Sequence, residues 1–376
     1  MIDMARRDFL GFLGAVAVSG GPLMMAKELW QSSWRGYRSS FIDGQGRIID
    51  YSADKGFSTS EGQAYGMFLS LAAGDRPAFR RILSWTDTNM AGGRLGDVLP
   101  AWKWGLRGGK WGITGANSAA DADAWMAYSL LEAAHVWKDH NLGVLGHNLA
   151  TRVANDESII INGFGRVLIP GASDFPDTPP VIVNPSYTPL FLARGIAHAT
   201  NLPQWKEIAV TTPRLITATS RHGFVPDWAW VPQRPDKPPA GLPETGIGSF
   251  GAIRCYLWAG LTNPDTEGAG VVLAALKGMA RYLTMHRAPP LTVQVADAST
   301  HGSGGIGFSG ALLPYLGALD KQRLLQQQLG RVLAQRETSG LFGQPTDYYT
   351  ENLILFGLGG LSGAIRFDNE GGLITS

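Results

Sequence analysis

Two acidic residues stand at the start of apolar runs with helical spacing and could form a catalytic pair. Glu61 precedes a run that places Ala64 and Phe68 on one helical face, and Asp121 precedes a similar run further along the chain. Glycosidic bonds are usually cut by two carboxyl groups, of which one gives a proton to the leaving oxygen while the other activates water or attacks the sugar. The pair therefore indicates carbohydrate chemistry.

Each acid also has a purely structural explanation. Ser58 followed three residues later by Glu61 has the form of a capping box, in which the carboxylate only satisfies a backbone N–H. Asp121 could simply favour the positive end of a helix. To act as a proton donor, Glu61 needs a raised pKa, which aromatic neighbours such as Tyr65 could provide. Asp123 must point away from the direction of Asp121 on a helix, so at most one of them faces a substrate.

Aromatic residues surround the second acid and suggest a sugar-binding cleft. The chain has 12 tryptophans, more than its core requires, and Trp102, Trp104 and Trp111 precede the Asp121 run together with Asn117. Aromatic side chains in loops offer flat apolar faces to sugar rings, and nearby amides and carboxylates can bind hydroxyl groups. Burial of these tryptophans in an ordinary core is the competing interpretation.

Composition narrows the class of function further. The 376 residues are 44% hydrophobic and 17% charged with a net charge of +1, which allows a sizeable core. They carry no basic stripe of the kind that nucleic-acid binding needs. The single cysteine, Cys255, excludes an internal disulfide and a multi-cysteine metal site. No spacing of His, Cys and Asp resembles a ligand set, so we expect neither a metal nor another cofactor.

The N-terminus has the pattern of an export signal. Arg6 and Arg7 precede the apolar run Gly11 to Val18, and a Gly-Gly-Pro break follows. That run is too short to span a bilayer, which takes about 20 residues, and no other stretch qualifies. We interpret residues 1–26 as a twin-arginine-type signal that directs residues 27–376 to the periplasm or the medium. An ordinary N-terminal helix is the alternative.

Apolar spacing predicts many helices and one all-α domain. Beyond the runs after Glu61 and Asp121, helical patterns cover 77–89, 190–199, 250–261, 269–285, 310–315, 321–336 and 349–358. Long Gly/Pro-rich connectors separate several of them, and nothing in the sequence marks a domain break. Strand signals are weak, although 159–161 and 167–169 could form a hairpin across the turn at Gly163.

Two segments resemble the signatures of glycoside hydrolase family 8. They are Ser60 to Tyr65, and Ala119 through Trp137, where Ala120 replaces the usual Ser or Thr. The resemblance covers nearly all of residues 27–376 and continues at 185–187, 226–228, 248–250, 307–309 and 348–349. It is to the branch of endo-β-1,4-glucanases that accompanies bacterial cellulose synthesis.

The resemblance implies an (α/α)6 barrel with an open cleft across one end, and hydrolysis of internal bonds of a β-1,4-glucan such as cellulose or carboxymethylcellulose, with inversion. The cellulose synthase complex becomes a candidate partner. Glu61 then matches the general acid, and Asp121 matches the aspartate that contacts the distorted sugar. The substrate-binding residues implied are Trp102, Asn117, Tyr187, Arg254 and Tyr349.

One position departs from the family pattern. Relatives have an aspartate, the expected general base, where this chain has Gly251 in the segment Gly248 to Arg254. Glycine cannot accept a proton, and inside a helix it costs about 1 kcal/mol relative to alanine. Arg254, three residues on, would lose a carboxylate partner. Loss of a general base usually lowers the rate by ~10²–10⁴-fold.

Three interpretations of Gly251 remain open at this point. The chain could be a base-less variant that binds glucan and cuts it slowly, which the sequence favours. Another acid, such as Asp227, Asp123 or Asp174, could reach the water instead, or the base could occupy a different position. A glucan-binding assembly factor with little turnover is thus the alternative to an active endoglucanase. A barrel lyase is weakly supported, because lyases of uronic acids need a cluster of cations that is absent here.

Overall fold

The computed structural model describes residues 21–53, 55–173, 181–231 and 246–375. These residues form thirteen α-helices: α1 Gly21–Phe41, α2 Ser60–Ala72, α3 Arg76–Met90, α4 Ala120–Trp137, α5 His140–Asp156, α6 Leu190–Thr200, α7 Pro203–Thr219, α8 Ala252–Leu261, α9 Ala269–Ala275, α10 Gly278–Leu283, α11 Ile306–Ala318, α12 Gln322–Leu333 and α13 Tyr348–Ser362. The predicted export signal covers residues 1–26, of which residues 1–20 lie outside the described part of the chain, and α1 begins at Gly21.

Six of the helices form an inner ring. In that ring α2 contacts α4, α4 contacts α6, α6 contacts α8, α8 contacts α11, α11 contacts α13, and α13 closes the circle on α2. The other helices pack outside this ring. The six outer places are held by α1, α3, α5, α7, α12 and the pair of short helices α9 and α10. This is the (α/α)6 barrel that the family resemblance implied.

Hydrophobicity explains which helices lie inside. The inner helices bury most of their surface, and α4 is buried at every position from Ala120 to Ala133. Outer helices such as α12 bury one stripe only. Aromatic rings fill the centre of the ring, where Phe68 stacks on Phe356 at 5.5 Å and Trp125 lies 5.2 Å from Trp258. Such packing stabilises the barrel and fixes the inner helices relative to one another.

Short strands occupy the ends of the barrel. The sheets contain β1 Ser58–Thr59, β2 Lys103–Arg107, β3 Lys110–Gly115, β4 Ser158–Ile161, β5 Gly165–Leu168, β6 Ile182–Val183, β7 Ala229–Trp230, β8 Ile247–Gly248, β9 Thr292–Gln294 and β10 Thr300–His301. Strands β1, β2 and β3 form one antiparallel sheet, β8, β9 and β10 another, and β6 pairs with β7. The predicted hairpin across Gly163 is confirmed as β4 and β5. Because β1 and β8 lead directly into α2 and α8, two of these sheets lie beside the N-terminal ends of inner helices.

Several predicted boundaries were wrong. The run 269–285 is two short helices rather than one, and 310–315 is the middle of the longer α11. Helices α5 and α7 were missed, because their many Gly, Asn, Thr and Pro residues weaken the periodic signal. Among the described residues, no helix is both long and apolar enough to cross a membrane.

Candidate active site

The predicted site residues gather at one end of the barrel. Glu61 lies in the first turn of α2, Asp121 in that of α4, Arg254 in that of α8 and Tyr349 in that of α13, while Tyr187 closes a 3₁₀ turn just before α6. Successive inner helices are separated by an outer helix that returns the chain, so their N-termini meet at the same end. Residues far apart in sequence therefore share one cleft, where the positive ends of helix dipoles favour negative charge.

An ion cluster joins three of these residues. Nη1 of Arg254 donates to Oε2 of Glu61 at 3.0 Å, and its Nη2 lies 3.5 Å from Oδ2 of Asp121. Nε and Nη2 of Arg254 also donate to Oγ of Ser186, at 3.2 and 2.9 Å. Gly251 offers Arg254 no carboxylate, but two partners come from other helices.

The two carboxyl groups differ in exposure and in proton affinity. The side chain of Glu61 is 23% exposed and that of Asp121 only 6%. Burial, followed by the charge of Glu61, raises the pKa of Asp121 to about 7, although Arg254 opposes the shift. Near neutral pH the cluster can therefore hold a proton close to Glu61, the carboxyl group that a substrate can reach.

Glu61 does not serve as the helix cap that the capping-box pattern suggested. Thr59 is the N-cap of α2, and its hydroxyl accepts the N–H of Gly62 at 3.1 Å. Ser58 lies in β1, where it accepts from Nε of Arg47 and donates to the carbonyl of Ile48. The structural explanation for Glu61 is thereby removed, and its carboxylate is free to face the cleft.

Gly251 is the N-cap of α8 and not an interior helix position. Its φ of −74° is open to any residue, and glycine is well tolerated at an N-cap, so the expected mid-helix cost does not arise. A Cβ at this position would lie 3.2 Å from Cβ and Oδ1 of Asp227 and 3.3 Å from Nδ2 of Asn184. Oδ1 of Asp227 accepts the N–H groups of Ser249 at 2.7 Å and Ala252 at 2.6 Å. A side chain at position 251 would therefore lie directly beside the carboxylate of Asp227.

The other two acids considered as the general base are Asp123 and Asp174. Asp123 is fully buried, and Asp174 lies outside the described residues. Asp123 points away from Arg254, as its spacing from Asp121 predicted, and faces Glu157, which accepts a hydrogen bond from the Ser118 hydroxyl. Burial, then the charge of Glu157, raises the pKa of Asp123.

This second acidic pair predicts a pH-dependent stability. Burial raises the pKa of Glu157 to about 8 from its ordinary 4.5, although hydrogen bonds from Ser118 and Asp123 oppose the shift. Because the folded state favours the protonated form, the stabilisation is complete below about pH 4.5 and is lost as pH rises towards 8. Each pKa unit corresponds to about 1.4 kcal/mol. We expect urea midpoints to fall between pH 5 and 8, and to fall less in Glu157→Gln.

The control for that measurement is Glu267→Gln, since Glu267 is 87% exposed and its carboxylate pairs with the partly buried Arg194. It should keep the pH slope of the unaltered protein. A midpoint that stays constant over this pH range in the unaltered protein would contradict the assignment.

Two of the aromatic residues expected in loops, Trp104 and Trp111, lie on a hairpin instead. Trp104 and Trp111 belong to β2 and β3 and stack at 5.0 Å, with the Arg47 guanidinium 4.6 Å from each ring. Trp111 is 46% exposed, so the core interpretation does not hold for it. The Trp102 ring packs against Gly115, and the backbone N–H of Trp102 donates to the carbonyl of Asn117 at 2.8 Å. The hairpin pairs with β1, beside Glu61.

Two tyrosines complete the site. Tyr187 meets Trp228 edge-to-face at 5.8 Å, and its ring lies 5.9 Å from the Arg254 guanidinium. The hydroxyl of Tyr349 donates to the carbonyl of Phe250. Sequence reasoning assigned no site role to Ser186 or Asn184. Ser186 belongs to the Pro-Ser-Tyr segment that resembles the family, and Asn184 precedes it, so this segment could have indicated both residues.

Fold and site together define a class of protein. An (α/α)6 barrel that presents a solvent-facing carboxyl beside a buried carboxyl at one end, with an exposed aromatic ring on a neighbouring hairpin, is equipped for acid-assisted cleavage of glycosidic bonds. Among the described residues, no group of three or more His, Cys, Asp or Glu is arranged to hold a metal ion.

Comparison with known proteins places the chain within this class. The family model of glycosyl hydrolases family 8 matches residues 19–362. An endoglucanase of Escherichia coli (strain K12) is 37% identical over 344 residues, which cover 91% of this chain and 90% of the relative. The chain therefore belongs to glycosyl hydrolases family 8 and is a glycoside hydrolase.

Solved structures agree with that placement. The endo-1,4-D-glucanase from Vibrio fischeri ES114 superimposes with a TM-score of 0.81 at 34% identity, covering 92% of this chain and 98% of that one. An endo-β-1,4-glucanase from Acetobacter xylinum gives a TM-score of 0.69 at 23% identity over 87% of this chain and 96% of that one. The second likeness supports the fold alone.

Proposed function

We propose that this chain is an endo-β-1,4-glucanase that hydrolyses internal bonds of cellulose-like chains with inversion. The observation that carries the proposal is the cluster of Glu61, Asp121 and Arg254 at the open end of the barrel. The exposed aromatic hairpin beside Glu61 supports an extended sugar chain as substrate, because flat rings suit the apolar faces of glucose units. The relatives named as endoglucanases support cleavage within a chain.

The cluster assigns distinct tasks to its members. Glu61, the exposed carboxyl, gives its proton to the leaving glycosidic oxygen. Asp121 shares a proton with Glu61 in this coupled pair and contacts the sugar at the cleavage point. Arg254, which donates to the hydroxyl of Ser186, holds Glu61 in place and so limits the reorganisation needed at the moment of cleavage. Inversion requires a water on the opposite face of the sugar, and thus a carboxylate roughly 6.5–9.5 Å from the acid.

We also propose an exported protein that works beside cellulose synthesis. The Arg6-Arg7 pattern and the apolar run after it support export through a twin-arginine-type signal. The likeness of residues 27–376 to the cellulose-associated branch supports the biosynthetic role, with the synthase complex as partner.

A second function, glucan binding with greatly reduced turnover, is favoured by one observation, the glycine at position 251. An assembly factor of this kind would keep the aromatic cleft and the Glu61 cluster but would lack the group that activates water.

Viscosity loss of carboxymethylcellulose with the purified chain tests the choice between these functions. We expect the unaltered chain to thin the polymer with few new reducing ends and to release product of inverted anomeric configuration. We expect Gly251→Asp to change the rate by less than tenfold, since an acid already lies beside this position. An increase of ~10²–10⁴-fold, the usual contribution of a general base, would instead establish the reduced-turnover function.

A further inference from the structure

We propose that Asp227 is the general base of this chain and replaces the carboxylate that Gly251 lacks. The inference rests on the proposed hydrolysis and names the residue that performs one of its steps.

The first support is the position of the Asp227 carboxyl group. Its Oδ1 and Cβ each lie 3.2 Å from the point where a Cβ of residue 251 would stand. The carboxylate therefore lies against the space that a side chain at 251 would enter. Because Gly251 has no side chain, it leaves this position beside Asp227 unfilled, as an attacking water would require.

The second support is that Asp227 is fixed in orientation. One oxygen, Oδ1, accepts two backbone N–H groups, from Ser249 and Ala252 at the start of α8. These bonds stabilise the carboxylate and hold the side chain in one position. Asp227 is only partly buried, so the carboxyl group remains accessible from the cleft.

The third support is that Asp227 faces the same site as Glu61. Residues 251 and 254 lie three apart at the start of α8 and so share one face of that helix. From that face Arg254 reaches Glu61 at 3.0 Å. Burial chiefly raises the pKa of Tyr349, and the charges of Glu61 and Asp227 both add to this effect while Arg254 opposes it. Both carboxylates therefore act on a single phenol at the centre of the site.

Another acid considered for this step is excluded by its surroundings. Asp123 is fully buried against Glu157 and cannot touch a water in the cleft. Asp121 pairs with Arg254 in the cluster that also contains Glu61, the general acid.

The step can be written with all atoms accounted for. The water oxygen forms a bond to the anomeric carbon while the bond from that carbon to the glycosidic oxygen breaks. Glu61 gives its proton to the leaving oxygen, and Asp227 takes one proton from the attacking water. Exchange with solvent then returns both carboxyl groups to their starting states.

The test is Asp227→Asn in the full-length protein, assayed for hydrolysis of carboxymethylcellulose. The amide oxygen can still accept the two N–H groups of α8, so the melting temperature should stay close to that of the unaltered protein. We expect kcat to fall by ~10²–10⁴-fold with little change in KM, and the acidic limb of the pH profile of kcat/KM to disappear. Adding Gly251→Asp to this variant should restore much of the rate, because a carboxylate then enters the adjacent space.

Asp368→Asn is the matched control. Oδ1 of Asp368 also accepts two backbone N–H groups, from Glu370 and Gly372, but in the exposed C-terminal segment. It should leave the rate unchanged. A rate near that of the unaltered protein for Asp227→Asn, or a change confined to KM, would overturn the role of Asp227 while leaving the proposed hydrolysis intact. An unaltered chain without any activity would instead overturn the proposed hydrolysis itself, and the role of Asp227 with it.

Discussion

Glu61→Gln is expected to lower the hydrolysis of carboxymethylcellulose by ~10²–10⁴-fold, the usual contribution of a general acid. Glutamine has nearly the same shape and can still accept the hydrogen bond from Arg254 through its amide oxygen. It has no proton to give to the leaving oxygen, so the loss should appear in kcat and not in KM. Release of reducing ends over a range of substrate concentrations measures both quantities.

A substrate with a good leaving group provides the control for this variant. An aryl cellooligosaccharide whose phenol leaves as an anion needs little protonation, so Glu61→Gln should retain much more of its activity on that substrate. Equal losses on both substrates would mean that Glu61 holds the sugar and does not donate a proton. Full activity on carboxymethylcellulose would remove Glu61 from the mechanism.

Arg254→Met should destabilise the protein by about 3–5 kcal/mol, the usual cost of removing one partner of a buried ion pair. Arg254 is nearly inaccessible, and its guanidinium is the cation that contacts both Glu61 and Asp121. Without Arg254 the charges of the two carboxyl groups are uncompensated. In the unaltered protein Arg254 lowers the pKa of Asp121, so this pKa should rise further in the variant. Urea midpoints at pH 7 measure the loss of stability.

Two variants separate the charge of Arg254 from its shape. Arg254→Lys keeps the charge but cannot reach Glu61, Asp121 and Ser186 at once, so it should recover only part of the stability. Arg254→Met combined with Asp121→Asn removes one of the unpaired charges and should be more stable than Arg254→Met alone. Additive losses in the double variant would show that the two residues do not interact.

Sequence reasoning identified the two acids of the site but not the residues that hold the site in place. Glu61 and Asp121 were recognised because each begins an apolar run, which is a local pattern, and because they match the family signatures. Ser186 supports the site by accepting hydrogen bonds from Arg254, which lies 68 residues further along the chain, and such a contact has no local pattern in the sequence. Asn184 in turn accepts the hydroxyl hydrogen bond of Ser186. The β2–β3 hairpin was read as loop, because its glycines and lysines dilute the alternation that indicates a strand.

The case of Arg254 shows the same division. The sequence indicates only that Arg254 loses one possible carboxylate partner where Gly251 replaces aspartate, because local spacing compares residues three apart on one helix. In the folded chain its partners come from α2 and α4, whose positions depend on closure of the ring.

The sequence by itself determined the family, the all-α character, and the two acids at helix starts, since these depend on local periodicity and on residue identity at short spacing. Only the tertiary structure decided that Thr59 and not Ser58 is the N-cap of α2, that Arg254 joins Glu61 to Asp121, and that Asp227 lies beside Gly251. The physical reason is that these contacts join different helices. Their geometry is set by how six inner helices pack around a shared core, which no local spacing along the chain specifies.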